Sequence, residues 1–216
     1  MKNNRESNKF IITGFSNMIS EIICSVGDTE LEIDIVKQRI NEPEPDELDN
    51  DFIKSNDLID IYSKLIEIEF SWANMDKTIR GAVNIQSWCN FYTEGWEDMV
   101  DEIWGDLNCD INSFRVFDFY ANQNYVGCFL NNYNELGLFY VRETTAYPLH
   151  ITATSYMKLL EKSKGLNHWP SLLIKYNLNI EFTESKNIEK DLLKIFPEID
   201  LEGLKNEYLS LRINQN

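Results

Sequence analysis

Between Arg80 and Glu143 four short segments, RGAVNIQSW, FRVFDFY, YVGCFLNN and LGLFYVRE, are built from aromatic and β-branched residues and separated by turns bearing Asn and Gly. Such segments suit a pleated, half-buried surface, and their close spacing suits antiparallel neighbours rather than helical crossovers. This sheet is the feature the rest of the chain must accommodate. Helical patterns precede and follow it. The order predicts an α+β fold, a central twisted antiparallel sheet flanked by N- and C-terminal helices.

Residues 10 to 41 read as two helical segments, a helical extension spanning residues 1–44 before a domain over residues 45–213. Ile19, Ile22, Ile23 and Val26 keep one face, and Gly27 stops the run. Thr29 followed by Glu32 forms a capping box for a second helix through Ile33, Val36 and Ile40. The alternation of Leu31, Ile33 and Ile35 also suits a strand. NEPEPDELDND (Asn41 to Asp51) holds two prolines and six acids and reads as a solvated connector. A helix through DLIDIYSKLIEI follows, with Leu58, Ile61, Tyr62 and Leu65 on one stripe. Beyond the sheet, TSYMKLLEKSKG ends at Gly165, NHWPSLLIKY starts with Asn167 as cap and Pro170 in its first turn, and DLEGLKNEYLSLRI is the last helix.

Twelve Phe, ten Tyr and five Trp among 216 residues can fill the core of one ample domain. The net charge of −16 argues against nucleic acid, whose phosphates need a cationic face, and against an anionic membrane. It favours a basic partner, or simply solubility. Cys24, Cys89, Cys109 and Cys128 are scattered without a paired motif, as expected of reduced thiols in the cytoplasm. The apolar run near the N-terminus is broken by Asn17, Ser20 and Glu21, so neither a signal peptide nor a membrane span is expected.

GWEDMVDEIWGD, Gly95 to Asp106, sets five acids among two tryptophans with no lysine or arginine between Arg80 and Arg115. Read as a helix, it buries Trp96, Met99, Val100, Ile103 and Trp104 on one stripe and turns Glu97, Asp98, Asp101 and Glu102 outward. Each like-charge i,i+4 pair then costs about 0.2–0.5 kcal/mol. Such a face is either merely solvated or a surface for a cationic partner, where complementary fields speed encounter. The candidate contact residues are Glu97, Asp98, Asp101, Glu102 and Asp106, with Trp96 or Trp104 as anchors if not fully buried. A second acidic patch comprises Glu44, Asp46, Glu47, Asp49 and Asp51.

Catalytic signatures are sparse. Acids along one exposed face do not make the facing pair a glycosidase-type reaction needs. DLNCDINSFRVF starts like a calcium loop with Asp106, Asn108 and Asp110, but places Ile111 where glycine is required and Phe117 where glutamate belongs. His150 and His168, the only histidines, read as packing or capping residues. No nucleophile elbow, zinc motif or phosphate-cradling loop occurs. FYTEGW and FDFYANQNY read as core and sheet neighbours rather than a stacking platform. No metal or cofactor is expected.

Three pieces, in order, resemble the SUKH superfamily and its SMI/KNR-type domains. They are DLIDIYSKLIEIEFSWANMDKTIRGAVNIQSW; VFDFYANQNYVGCFLNN with ITATSYMKLLEKSKGLNHWP, closing in Lys-Gly-x-x-x-Trp; and FPEIDLEGLKNEYLSLRI. The resemblance covers roughly residues 45 to 213, although SKLIEIEF lacks the Asn-Gly turn that many members carry there. It implies a non-enzymatic protein-binding domain. In bacteria that is typically an immunity protein blocking a cognate polymorphic toxin, here a cationic one such as a nuclease. In fungi it is a regulatory scaffold of cell-wall control.

Overall fold

The computed structural model describes residues 16–22, 31–39, 56–62, 67–74, 76–93, 96–121 and 124–213. The strands are β1 (Leu31–Arg39), β2 (Glu67–Asn74), β3 (Arg80–Ile85), β4 (Glu102–Ile103), β5 (Phe114–Ala121), β6 (Asn124–Phe129), β7 (Phe139–Arg142) and β8 (Thr145–Pro148). The helices are α1 (16–22), α2 (Asn56–Tyr62), α3 (Trp88–Thr93), α4 (Tyr133–Leu136), α5 (Ala153–Ser163), α6 (Pro170–Leu178), α7 (Ser185–Ile195) and α8 (Leu201–Leu211). The fold is α+β with a mostly antiparallel sheet, as the pattern predicts.

Two expected helices are corrected. Residues 31–39 form β1, so the alternation of Leu31, Ile33 and Ile35 outweighs the capping box. The helix expected through Ile68 is present over Asn56–Tyr62, residues 63–66 lie outside the described residues, and Glu67 opens β2. There Ile68, Phe70 and Trp72 are buried while Glu69 and Ser71 between them are half-exposed, a period of two that no helix can match.

The chain folds into two compact units. One comprises Phe70–Ala82 and Ser155–Leu211 with the described part of Met1–Val36. In it Trp72 is 2% exposed, packs edge-on to Phe196 with ring centroids 5.4 Å apart, and donates its indole N–H to the Lys164 carbonyl over 2.8 Å. Gly81 lies under that indole, where a Cβ would sit 2.1 Å from Trp72 Nε1. The Lys-Gly-x-x-x-Trp segment lines up along β3: Ala82 N–H donates to Gly165 O (2.8 Å) and Asn167 N–H to Arg80 O (2.9 Å). Gly165, at φ 62°, ends α5 as expected.

Helix α6 starts from Trp169 rather than Asn167, with Pro170 as its first residue, while the Asn167 N–H donates to the Arg80 carbonyl. Its last turn closes on Asn179 in the left-handed region. Helix α7 was not anticipated, although Ile188, Leu192 and Ile195 are spaced for one face and are buried. Asp200 accepts from Gly203 N–H (2.9 Å) and so starts α8.

The other unit comprises Val83–Thr154 with the described parts of Lys37–Glu69 and Arg212–Asn216. Its strands lie in the order β3-β5-β6-β7-β8-β4. The β5–β6, β6–β7 and β7–β8 pairs are antiparallel, with Val116 opposite Gly127, Val126 opposite Tyr140, and Val141 opposite Ala146. Strand β4 closes this order, running parallel to β8. One sheet face carries Phe114, Val116, Tyr125, Phe129, Phe139 and Val141, a cluster that Trp96 and Val100 complete. Cys128 alternates with Tyr125 and Phe129 and so faces the opposite side. There Tyr62 of α2 lies beside it and packs with Trp88, Phe91 and Phe117 at centroid distances of 5.3, 4.9 and 6.1 Å.

Helix α5 is capped by an arrangement the sequence did not announce. Tyr133 donates its hydroxyl to Asp57 (2.5 Å) and accepts the Ala153 N–H (2.7 Å), while Asp57 accepts the Thr154 N–H (3.3 Å). A carboxylate at a helix start satisfies orphan donors and complements the dipole.

Candidate protein-binding surface

The acidic segment is not an α-helix. Glu97–Met99 form one 3-10 turn, closed by Met99 N–H on Trp96 O (3.0 Å), and Glu102–Ile103 form β4. The cause is tertiary. The free edge of β8 supplies carbonyls that the segment takes in preference to its own: Asp101 and Glu102 N–H reach Thr144 O (2.9 and 3.2 Å), and Trp104 N–H reaches Ala146 O (2.9 Å). This extended course also avoids stacking like charges at helical spacing.

Its inward side covers the sheet. Trp96 is 7% exposed and Val100 2%, with Met99, Ile103, Leu107 and Cys109 packed against the same cluster. Trp96 donates its indole N–H to Asn90 O (3.1 Å), and the Tyr125 hydroxyl donates to Met99 O. Burial, with the Asp101 charge adding to it, pushes the Tyr125 phenol well above its ordinary range. That hydroxyl ties the turn to β6.

The outward side holds the acids. Asp98, Asp101, Glu102 and Asp106 are exposed. Glu97 belongs to the turn by its backbone, and its side chain lies outside the described residues, as do Glu44, Asp46, Glu47, Asp49 and Asp51 of the second patch.

Trp104 departs from the expected buried stripe. It is 38% exposed, because the β4 register puts Ile103 opposite Ala146 on the inner face and turns Glu102 and Trp104 outward. Its ring lies against Tyr147, centroids 6.4 Å apart and tilted by 31°. Thr145 donates to Glu102 at 3.5 Å, and Arg142 pairs with Glu143 at 3.5 Å. The Tyr147 phenol is pushed up by partial burial, pulled back by Arg142, and pushed up again by Glu102 and Glu143. Tyr147 and Glu143 are thus parts of the surface that sequence reasoning missed. The short alternation TAYP after the ETT turn could have marked β8, and with it the outward Tyr147.

The arrangement is an exposed indole braced by a tyrosine and rimmed by carboxylates. Near the failed calcium loop, Asp110 instead accepts from Asn112 N–H (3.1 Å) and Asn112 Nδ2 (3.0 Å), an ordinary polar turn. Among the described residues no group of three His, Cys, Asp or Glu could hold a metal ion, and no helix is long and apolar enough to cross a membrane. Asp118 is fully buried at the β5 bulge, where its Oδ1 accepts Asn84 N–H (2.8 Å). His150 is buried at φ 53°, its carbonyl accepting Ile213 N–H (2.7 Å), while the His168 carbonyl accepts Ser171 N–H (2.9 Å). Compared with known proteins, the chain matches no family model, and no curated protein or solved structure is significantly similar to it.

Proposed function

We propose that this protein acts by binding another protein, as a cytoplasmic immunity protein of the SUKH type that occludes a cationic toxin such as a nuclease. The observation that carries the reading is Trp104. A tryptophan held half out of the surface by its own strand register, against Tyr147 and among outward carboxylates, has the make-up of an interface hot spot. The acids beside it supply a field that steers and selects a basic partner. Their exposure suits this use better than general acid–base work, which relies on a carboxyl shielded by apolar surroundings.

The test is co-expression with the product of the adjacent gene, followed by binding kinetics of the purified pair. Trp104→Ala is expected to raise the dissociation rate by about tenfold or more, given at least 1–2 kcal/mol at a hot-spot ring. Charge reversal at Glu97 and Asp101 is expected to slow association and flatten its salt dependence. Unchanged kinetics in both variants would remove this surface from the binding role.

A further inference from the structure

A second site is independent of that surface. In the unit containing the β2–β3 hairpin, a cavity of about 350 Å³ opens beside Trp72 and is walled by Lys77, Arg80, Gly81 and Asn167. Among the described residues no carboxylate lines it. In a chain with 36 acidic and 20 basic residues, two cations sharing a cavity whose described walls hold no acid is the reverse of the general trend.

Arg80 is held for use. Its Nε–H donates to the Lys77 carbonyl (2.9 Å), which fixes the guanidinium plane and leaves the terminal nitrogens to reach elsewhere. Among the described residues Arg80 has no carboxylate partner. Lys77 sits at φ 57°, on the same tight turn. Asn167 adds a buried side-chain oxygen with no hydrogen-bond partner among the described residues, on a residue whose own N–H anchors it to Arg80 O. Whichever way that amide is turned, a polar atom is left for a ligand to satisfy. Glu184 and Asp191 line a separate cavity of about 260 Å³ that shares Arg80 and Asn167, so they repel an anion there and leave the Lys77 side as its seat.

We propose that this cavity binds a small oxyanion, a phosphate monoester or a carboxylate, with Arg80 as a planar two-pronged donor, Lys77 as a point charge and the Asn167 amide fixing orientation. The volume is at the small end of ligand pockets, which suits a metabolite rather than a polymer.

The experiment titrates the full chain with inorganic phosphate and, separately, with citrate, following the amide signals of Gly81 and Asn167 and the Trp72 indole N–H by NMR. Saturable shifts confined to those groups are expected with one or both anions, and which anion acts tells phosphate from carboxylate as the natural headgroup. Arg80→Gln should weaken the response by about tenfold or more, as loss of a charge-assisted pair does. Lys77→Gln should weaken it less, and serves as the second variant if Arg80→Gln fails to fold. Absence of saturable shifts with both anions, or shifts equal to wild type in the variants, overturns the proposal.

Discussion

Gly81→Ala tests the packing on which the hairpin unit depends. The added methyl would lie 2.1 Å from Trp72 Nε1, 2.3 Å from Cε2 and 2.7 Å from Cζ2. Carbon contacts settle at about 3.5–4.0 Å, so the indole would have to move by more than an ångström. It has little room to do so, being 2% exposed and set against Phe196. Overpacking of this kind costs about 1–3 kcal/mol. Moving the ring also pulls its N–H from the Lys164 carbonyl, and leaving those groups buried and unpaired costs about 1–3 kcal/mol more. Alanine restricts the unfolded chain and returns about 0.4–1 kcal/mol. The net expectation is a loss of about 1–5 kcal/mol, a large share of the 5–15 kcal/mol typical of a folded domain.

Urea unfolding of Gly81→Ala, Trp72→Phe and the double variant, followed by circular dichroism, measures it. Phenylalanine is smaller and has no N–H to lose, so the double variant should be less damaged than the sum of the singles, by about 1 kcal/mol or more. A Gly81→Ala protein within about 0.5 kcal/mol of wild type, or strict additivity, would refute the reasoning.

Two further outcomes follow from buried groups. The Tyr62 hydroxyl is buried with no hydrogen-bond partner among the described residues, and burial, with Cys128 and Asp118 nearby, raises its pKa well above the usual range. Tyr62→Phe should therefore stabilise the protein by about 1 kcal/mol in urea unfolding, and a comparable loss would show that the hydroxyl has a structural partner. His150 has its pKa lowered by burial first and by Arg212 second. Between that lowered value and about pH 6.5 the unfolded chain binds the proton that the folded chain refuses, so stability is full above about pH 6.5 and falls as the pH drops below it. His150→Asn, which tolerates the left-handed backbone, should flatten that decline in thermal melts taken across the range. An unaltered pH profile would mean that other groups set it.

Much of the inside and outside of this chain was legible before any fold was known. Strands β3 and β7 fall within two of the four aromatic segments, and β5 and β6 each overrun one of the other two by a single residue, because alternating aromatic and β-branched residues encode a half-buried surface locally. Trp96 and Val100 are buried and Asp98, Asp101, Glu102 and Asp106 exposed, as their chemistry demands, although the helix that was to sort them does not exist. Helix α7 and the start of β2 were missed, although the spacing of Ile188, Leu192 and Ile195 and the alternation from Ile68 to Trp72 carry their periods.

What no local pattern held was partnership. That residues 101–104 would take carbonyls from Thr144 and Ala146 depends on a strand edge some forty positions away, and that edge alone turned Trp104 outward against Tyr147. The same holds for Arg80 and Asn167, which meet because the segment after α5 returns to β3. The sequence by itself determined which side chains seek water and which avoid it, since transfer free energy belongs to the residue. Only the tertiary structure decided which backbone groups pair, because a hydrogen bond belongs to two residues and the second can lie anywhere along the chain.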